Sequence, residues 1–323
     1  ERVLAAPPGF LNFWLTDDFL LSSLDSVLKN PDKWGKSDVG KGKIAVVEYF
    51  QLNIAKRPHI GHIRSAVIGD AIKRMLWRFG YHAVSDTHVG DWGTQFGILI
   101  WAWKTLVSEK DKMLYEQYPF ENLEKLYKAA NLQILSKPEL REKGKEEFAK
   151  LERGDIENRK IWQWMVEVSM KKLEESANRL GLLEFDEHRG ESAYEDAMPG
   201  IVEMALKKGA AKKTDDGAVV VDLSAEGLDE AVLIKSDGAS TYLLRDLATI
   251  QYRKGKRDFW KNLYVVDVRQ EHHFRQVFCV AKLLGFEGVG ESQHIEFGFM
   301  SLPEGAMSTR KGTAISLDAV LDE

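Results

Sequence analysis

The chain is poor in cysteine and proline, lacks long apolar runs and carries no excess of positive charge. One cysteine, Cys279, among 323 residues excludes an intramolecular disulfide framework and a thiolate zinc cluster. It lies in the apolar helical run 277–281, which reads as core. No stretch approaches the about 20 apolar residues that a membrane span requires, and no signal peptide is visible. We expect a soluble, cytoplasmic, monomeric protein with no membrane partner. The formal net charge is −5, from 45 basic and 50 acidic residues, so any nucleic-acid site must be a local patch. His88, His272, His273 and His294 lack zinc-like spacing with cysteines or carboxylates, so no structural metal is expected. The chain begins at Glu1 and not at Met, and reads as a fragment.

What the chain does have is a sharp junction between two elements. Residues 43–50 form a β-branched, apolar run that reads as a buried strand. Ile63, Val67, Ala71, Ile72, Met75, Leu76 and Phe79 then recur at helical spacing, and Gly80 is placed to end the helix. Between them stands His59-Ile60-Gly61-His62, in a strand-to-helix turn. In α/β proteins such a turn binds phosphate through free backbone N–H groups and the helix dipole. Gly61 lets a nucleotide approach the backbone, and the two histidines can donate to phosphate oxygens. The blander reading is two ordinary surface or core histidines; the strand–turn–helix context favours the functional one. Gly35-Lys36-Ser37 matches the tail of a P-loop, but Asn30 stands where that loop needs glycine, and no buried strand precedes it.

The pattern continues with a strand around 81–87 and a helix from Thr94. Residues 108–190 read as mainly helical, with Ile161, Met165, Val168, Leu173, Ala177 and Leu180 forming a stripe that core packing explains. Residues 191–235 read as short strands, including 218–223 and 231–235, followed by a hairpin turn at Ser236-Asp237-Gly238. A strand at 263–268 and a helix at 271–284 resume the earlier pattern. The fold class is α/β, with a Rossmann-like parallel nucleotide-binding sheet built from 43–107 and 236–323. A largely helical insertion with a small β-containing part, 108–235, splits that sheet. Residues 1–42 end in a Gly- and Lys-rich linker at 35–42.

Far along the chain, Met307-Ser308-Thr309-Arg310-Lys311-Gly312 follows a strand-like run at 294–300. It and His59-Ile60-Gly61-His62, in this order, resemble the two signature motifs of class I aminoacyl-tRNA synthetases. Three longer stretches narrow the resemblance to the arginyl-tRNA synthetase family. They are Asn53-Ile54-Ala55-Lys56, His88-Val89-Gly90-Asp91-Trp92-Gly93-Thr94-Gln95-Phe96-Gly97, and Val265-Val266-Asp267-Val268-Arg269-Gln270-Glu271-His272-His273-Phe274. The resemblance runs from about Gly9 to the last residue.

This resemblance implies a class I catalytic domain whose partners are ATP, L-arginine and tRNA(Arg), with Mg²⁺ arriving with ATP. The arginine carboxylate would attack the α-phosphorus in line, giving arginyl-adenylate and pyrophosphate. The 2′-hydroxyl of the tRNA would then take the arginyl group and release AMP. The protein's part is to position the reactants and stabilise charge, with no covalent nucleophile. By the same resemblance, residues 9–15 end a small N-terminal domain, and the helical anticodon-binding domain is absent from this sequence. Adenylate formation then requires bound tRNA, so little activity is expected of the isolated chain.

A guanidinium calls for carboxylates placed for forked hydrogen bonds. Glu48 ends the first strand, five residues before Asn53, and Tyr242 and Asp246 lie four apart on one helix face. The resemblance implies that Tyr242, Asp246 and Gln270 line the side-chain pocket, with Glu48 at its far side. Asn53 and His59 would hold the α-amino and carboxylate groups. ATP would meet His59, Gly61, His62, Met300, Met307 and Ser308, with His273 just behind. The second signature ordinarily reads Lys-Met-Ser-Lys-Ser; here Ala306 and Thr309 replace its lysines. Lys56, just before the first signature, compensates in the family. The expected catalytic residues are therefore Lys56, His59, His62, Arg310 and Lys311.

Two other readings stand beside this one. One is an adenylyl- or nucleotidyl-transferase acting on a small cationic substrate; the other is a non-catalytic synthetase-like binding module. For RNA, Lys207-Lys208 with Lys212-Lys213 and the run 253–257 are basic clusters, readable as solvated helix ends or as phosphate contacts. Trp101, Trp103, Trp162 and Trp164 suit core packing better than base stacking.

Overall fold

The computed structural model describes residues 2–300 and 315–323. The chain opens on an antiparallel hairpin, β1 (Arg2–Ala6) and β2 (Phe10–Trp14), then α1 (Asp17–Lys29). Thr16 caps α1, accepting from the Phe19 amide at 3.3 Å, while Asp17 and Asp18 face the positive end of the helix dipole.

Next come β3 (Ile44–Glu48), α2 (Ile60–Arg78), β4 (His82–Asp86) and α3 (Thr94–Leu106). Four helices follow as anticipated, α4 (Glu109–Gln117), α5 (Pro119–Ser136), α6 (Leu140–Glu152) and α7 (Ile156–Arg179). Residues 191–235 depart from the expectation of short strands alone. A 3₁₀ helix (Glu191–Ala197) and α8 (Met198–Lys207) precede β5 (Lys212–Lys213), β6 (Val219–Val221) and β7 (Ala231–Ile234). Met198, Ile201 and Ala205 explain α8, since they share one buried face at helical spacing, and a proline sits in its first turn. The chain then runs through α9 (Tyr242–Lys256), β8 (Phe259–Asp267), α10 (Glu271–Leu283), β9 (Ser292–Phe297) and α11 (Leu317–Asp322).

The main sheet has the order β4-β3-β8-β9, and every pairing in it is parallel. Its two central strands, β3 and β8, lie side by side although α3 to α9 separate them in sequence. From β3 the chain leaves through α2 towards β4, and from β8 through α10 towards β9. The strand order therefore reverses between β3 and β8, which opens a crevice at their carboxyl ends. Ala45, Val46 and Val47 of β3 are fully buried, as expected for a parallel strand covered on both faces. Val47, Leu263 and Val265 face one core with Phe96 and Leu173. Tyr264 faces the other, with Leu247 of α9 and Val277 of α10.

The segment 35–42 is more than a linker. The Ser37 and Gly40 amides donate to the carbonyls of Arg78 and Phe79, strapping it to the end of α2. A Cβ on Gly40 would meet the Tyr81 ring at 2.3 Å. Cys279 is partly buried against the second core, and Trp101, Trp103, Trp162 and Trp164 pack partly buried against the hydrophobic clusters of the first half. The Trp103 and Trp164 rings lie 4.7 Å apart, and Trp162 Nε1 donates to the Asp91 carbonyl at 2.8 Å.

Candidate active site

The crevice between the ends of β3 and β8 opens into a cleft of about 500 Å³. One wall is the start of α2. His59 caps this helix, its Nδ1 accepting from the Gly61 amide at 3.1 Å. His62 returns the favour, its Nδ1 accepting from the His59 amide at 3.0 Å. Together they form a capping box made of two imidazoles.

This corrects the expectation of free backbone N–H groups at the turn. The Ile60 amide donates to the Ile315 carbonyl and the His62 amide to the His59 carbonyl, so the first-turn donors are already used. The donors that remain are imidazole Nε2–H groups, because each Nδ1 serves as an acceptor. Both rings are neutral. Burial, then His59, pushes His62 down to about 3. Burial, then Lys56 and Arg269, lowers His59.

Residues 58–60 are held from behind by the far end of the chain. His59 bridges Ser316, and the Leu317 amide donates to the Pro58 carbonyl at 2.9 Å. Arg57 reaches Asp318 at 3.1 Å and Glu124 at 3.2 Å, which makes it a structural tie between α11 and α5. Lys56 does not line the cleft; its ammonium lies 5.4 Å from the centre of the Tyr127 ring. Its charge still reaches both histidines.

The opposite wall is α9, capped by Thr241. Tyr242 and Asp246 both line the cleft, one helical turn apart. Tyr242 is exposed and Asp246 buried. His273 of α10 reaches across, Nε2 to Asp246 Oδ2, at 2.6 Å. Gln270 ends the 3₁₀ turn before α10, makes no side-chain cap and lines the cleft. Asn53 and Gly61 line the same space, and Met300 closes one side. Asn53 pairs with Gly90, where a Cβ would meet Asn53 Oδ1 at 2.6 Å. Met307, Ser308, Arg310 and Lys311 lie outside the described residues.

Glu48 lines the floor, but both its oxygens have partners: Gln51 Nε2 donates to Oε1 at 3.1 Å and Arg253 Nη2 to Oε2 at 2.6 Å. The same Arg253 nitrogen donates to Asp86 at 2.8 Å. Burial would raise the Asp86 carboxyl, but Arg253 outweighs it and holds the group below its ordinary range. Arg253 is thus a buried structural cation and not part of a surface RNA patch. Its neighbours in the basic run are also committed, Lys254 to Asp258 and both Lys256 and Arg257 to Glu187.

Sequence reasoning gave no role in the cleft to His88, Glu191 and Arg245, all three of which line it. His88 follows β4 in a left-handed conformation, φ 40°, and lies partly buried beside Asp246. Burial opposes its charge, but Glu48 and Asp246 raise it above its ordinary value. Glu191, in the 3₁₀ helix, is pushed up to about 7, by burial first. The only signal for His88 was its place in the motif that begins with it; Glu191 offered none, since it lies about 100 residues from β4 in sequence. Among the described residues, no group of three potential ligands could hold a metal ion.

Comparison with known proteins follows the same lines. Residues 23–323 match the family described as tRNA synthetases class I (R), catalytic domain. The chain is 38% identical over 322 residues to the arginine–tRNA ligase of Chloroflexus aggregans, covering 99% of this chain and 55% of that protein. It is 38% identical over 325 residues to that of Streptococcus suis, covering 100% and 57%. It spans just over half the length of these curated relatives. Among solved structures, the arginyl-tRNA synthetase of Plasmodium falciparum superposes with a TM-score of 0.72 at 25% identity, over 93% of this chain and 52% of that one. The Thermus thermophilus arginyl-tRNA synthetase shares the fold, with a TM-score of 0.72 at 23% identity, over 100% and 57%.

Proposed function

The chain belongs to the family of class I arginyl-tRNA synthetase catalytic domains, and from that premise we propose that the protein ligates L-arginine to tRNA(Arg) through an arginyl-adenylate. ATP enters as its Mg²⁺ complex and leaves as AMP and pyrophosphate. The observation that carries this reading is Asp246, a buried carboxylate on the cleft wall facing the imidazole-capped start of α2. A guanidinium fits the first and a triphosphate the second.

In this reading Asp246 receives the guanidinium, Tyr242 supplies an aromatic wall and Gln270 an amide beside it. Glu48, occupied by Arg253 and Gln51, contributes charge from the floor. Asn53 and His59 hold the α-amino and carboxylate groups. The Nε2–H donors of His59 and His62 stabilise charge on the phosphates, and Gly61 and Met300 border the nucleotide. Lys56 adds positive potential from outside the cleft, with Arg310 and Lys311 as further cations and Met307 and Ser308 as nucleotide contacts. His273 orients Asp246. We propose the insertion at 108–235 as a unit that buttresses the first half of the sheet. A monomer acting in the cytoplasm completes the proposal.

Calorimetric titration with arginine and ATP, with lysine and citrulline as controls, tests the pocket. Arginine binding that citrulline cannot reproduce is the expected result. Nucleotide binding without preference for arginine would favour a transferase of another small cation, and a folded chain that binds neither would favour a non-catalytic module. Charging of tRNA(Arg) with labelled arginine by the full-length protein tests the complete reaction.

A further inference from the structure

Buried carboxylates need a countercharge, and the cleft floor supplies it unevenly. Arg253 lies within ion-pair distance of both Glu48 and Asp86. Asp246 has neither lysine nor arginine within that distance among the described residues. Its ion-pair partners there are two imidazoles, His273 at 2.6 Å on Oδ2 and His88 at 3.8 Å on Oδ1.

His88 is built into this place. Its left-handed backbone is held by its amide, which donates to Asp86 Oδ1 at 3.2 Å. Charges on every neighbouring element act on its ring. Glu48 comes from β3, Asp86 from β4 and Asp91 from the loop beyond it; Asp246 and Arg253 come from α9. Glu191 and the Tyr194 ring, 5.8 Å away, come from the 3₁₀ helix. Carboxylates outnumber cations around it. Neither ring nitrogen is locked: Nε2 stands 3.8 Å from Asp246, and Nδ1 has no hydrogen-bond partner among the described residues. Losing a proton breaks no hydrogen bond there.

We propose that His88 is the pocket's internal counter-ion, a positioning residue whose proton the substrate's guanidinium displaces. With the pocket empty, imidazolium balances Asp246 and its neighbours. When a guanidinium reaches Asp246, two cations would share one carboxylate, and the imidazolium proton passes to buffer. The free pocket is thereby kept from carrying several unbalanced buried charges. The inference rests on the arginine reading above.

Its test is proton counting. L-arginine is titrated into the full chain near neutral pH, in two buffers of different ionisation enthalpy. Release of up to about one proton per arginine is expected, with affinity rising by up to about tenfold per pH unit between roughly pH 6 and 8. Glu191, which lines the same cleft and is pushed up to about 7, is first replaced by glutamine so that it cannot contribute a proton. In that background His88→Gln should abolish both the release and the pH dependence while arginine still binds, and His88→Asn should behave alike. Arginine binding to the wild-type chain without proton release overturns the inference alone, whether or not the variants fold. Release that persists unchanged in either folded variant also overturns it. Absence of arginine binding overturns the functional reading and this inference together.

Discussion

Arg253 Nη2 donates to Glu48 Oε2 at 2.6 Å, across 205 residues of sequence. Its guanidinium also reaches Asp86 at 2.8 Å and Asn262 at 3.2 Å, and so ties β3, β4 and β8 together beneath the cleft. Arg253→Met should leave two buried carboxylates without their cation and cost about 3–5 kcal/mol. Arg253→Lys should recover only part, because a single ammonium lacks the planar fork. Urea denaturation checks both; a loss below about 1 kcal/mol in the Met variant would count against the tie.

On the proposed function, Asp246→Asn removes the charge offered to the guanidinium while keeping the shape. Arginine affinity should fall by about 30-fold or more, the equivalent of about 2 kcal/mol, with ATP binding little changed. Titration of each ligand separates the two effects. Equal loss of both would point to general collapse of the cleft.

Glu191 makes stability depend on pH. Burial pushes it up from 4.5 to about 7, so between these values the folded chain holds a proton that the unfolded chain has lost. This contribution is full below about 4.5 and falls as pH rises through about 7. Glu191→Gln is neutral throughout and should remove the slope. The variant should be more stable than wild type near pH 8, by about 1–3 kcal/mol, and similar near pH 5. Urea melts at the two pH values decide it.

Gly69 shows a helix position governed by its neighbour. A Cβ there would meet the Tyr49 ring at 2.2 Å. Tyr49 cannot retreat, being fully buried and packed on Phe185 at a ring distance of 4.7 Å. Gly69→Ala should therefore lower stability by about 1–3 kcal/mol, although alanine favours helix by about 1 kcal/mol. Thermal unfolding would show a lowered midpoint; an unchanged or raised one would mean that the ring can shift.

Much of the architecture was legible in local pattern. The run 43–50 and the helical spacing from Ile63 to Phe79 announced β3 and α2 because buried faces impose periods of two and 3.6. α8 was missed because its apolar face is only three buried residues wide, beside valine-rich runs that dominate the window. At the site, His59, His62, Tyr242 and Asp246 stood at spacings that their helices convert into shared faces. The basic run 253–257 misled, since charge in a sequence carries no information about burial, and Arg253 turned inward to meet carboxylates from β3 and β4.

Residue types and their order were enough to place the main strands, the strand-to-helix turn and the family. They could not set which charges meet. Parallel pairing of β3 with β8 brings Glu48 to Arg253, and the 3₁₀ helix lays Glu191 beside His88. Those encounters depend on burial and on distances between segments about 100 to 200 residues apart, which exist only once the sheet has closed. The state of each ionisable group in the cleft is a property of that packing, because desolvation and neighbouring charge act through space and not along the chain.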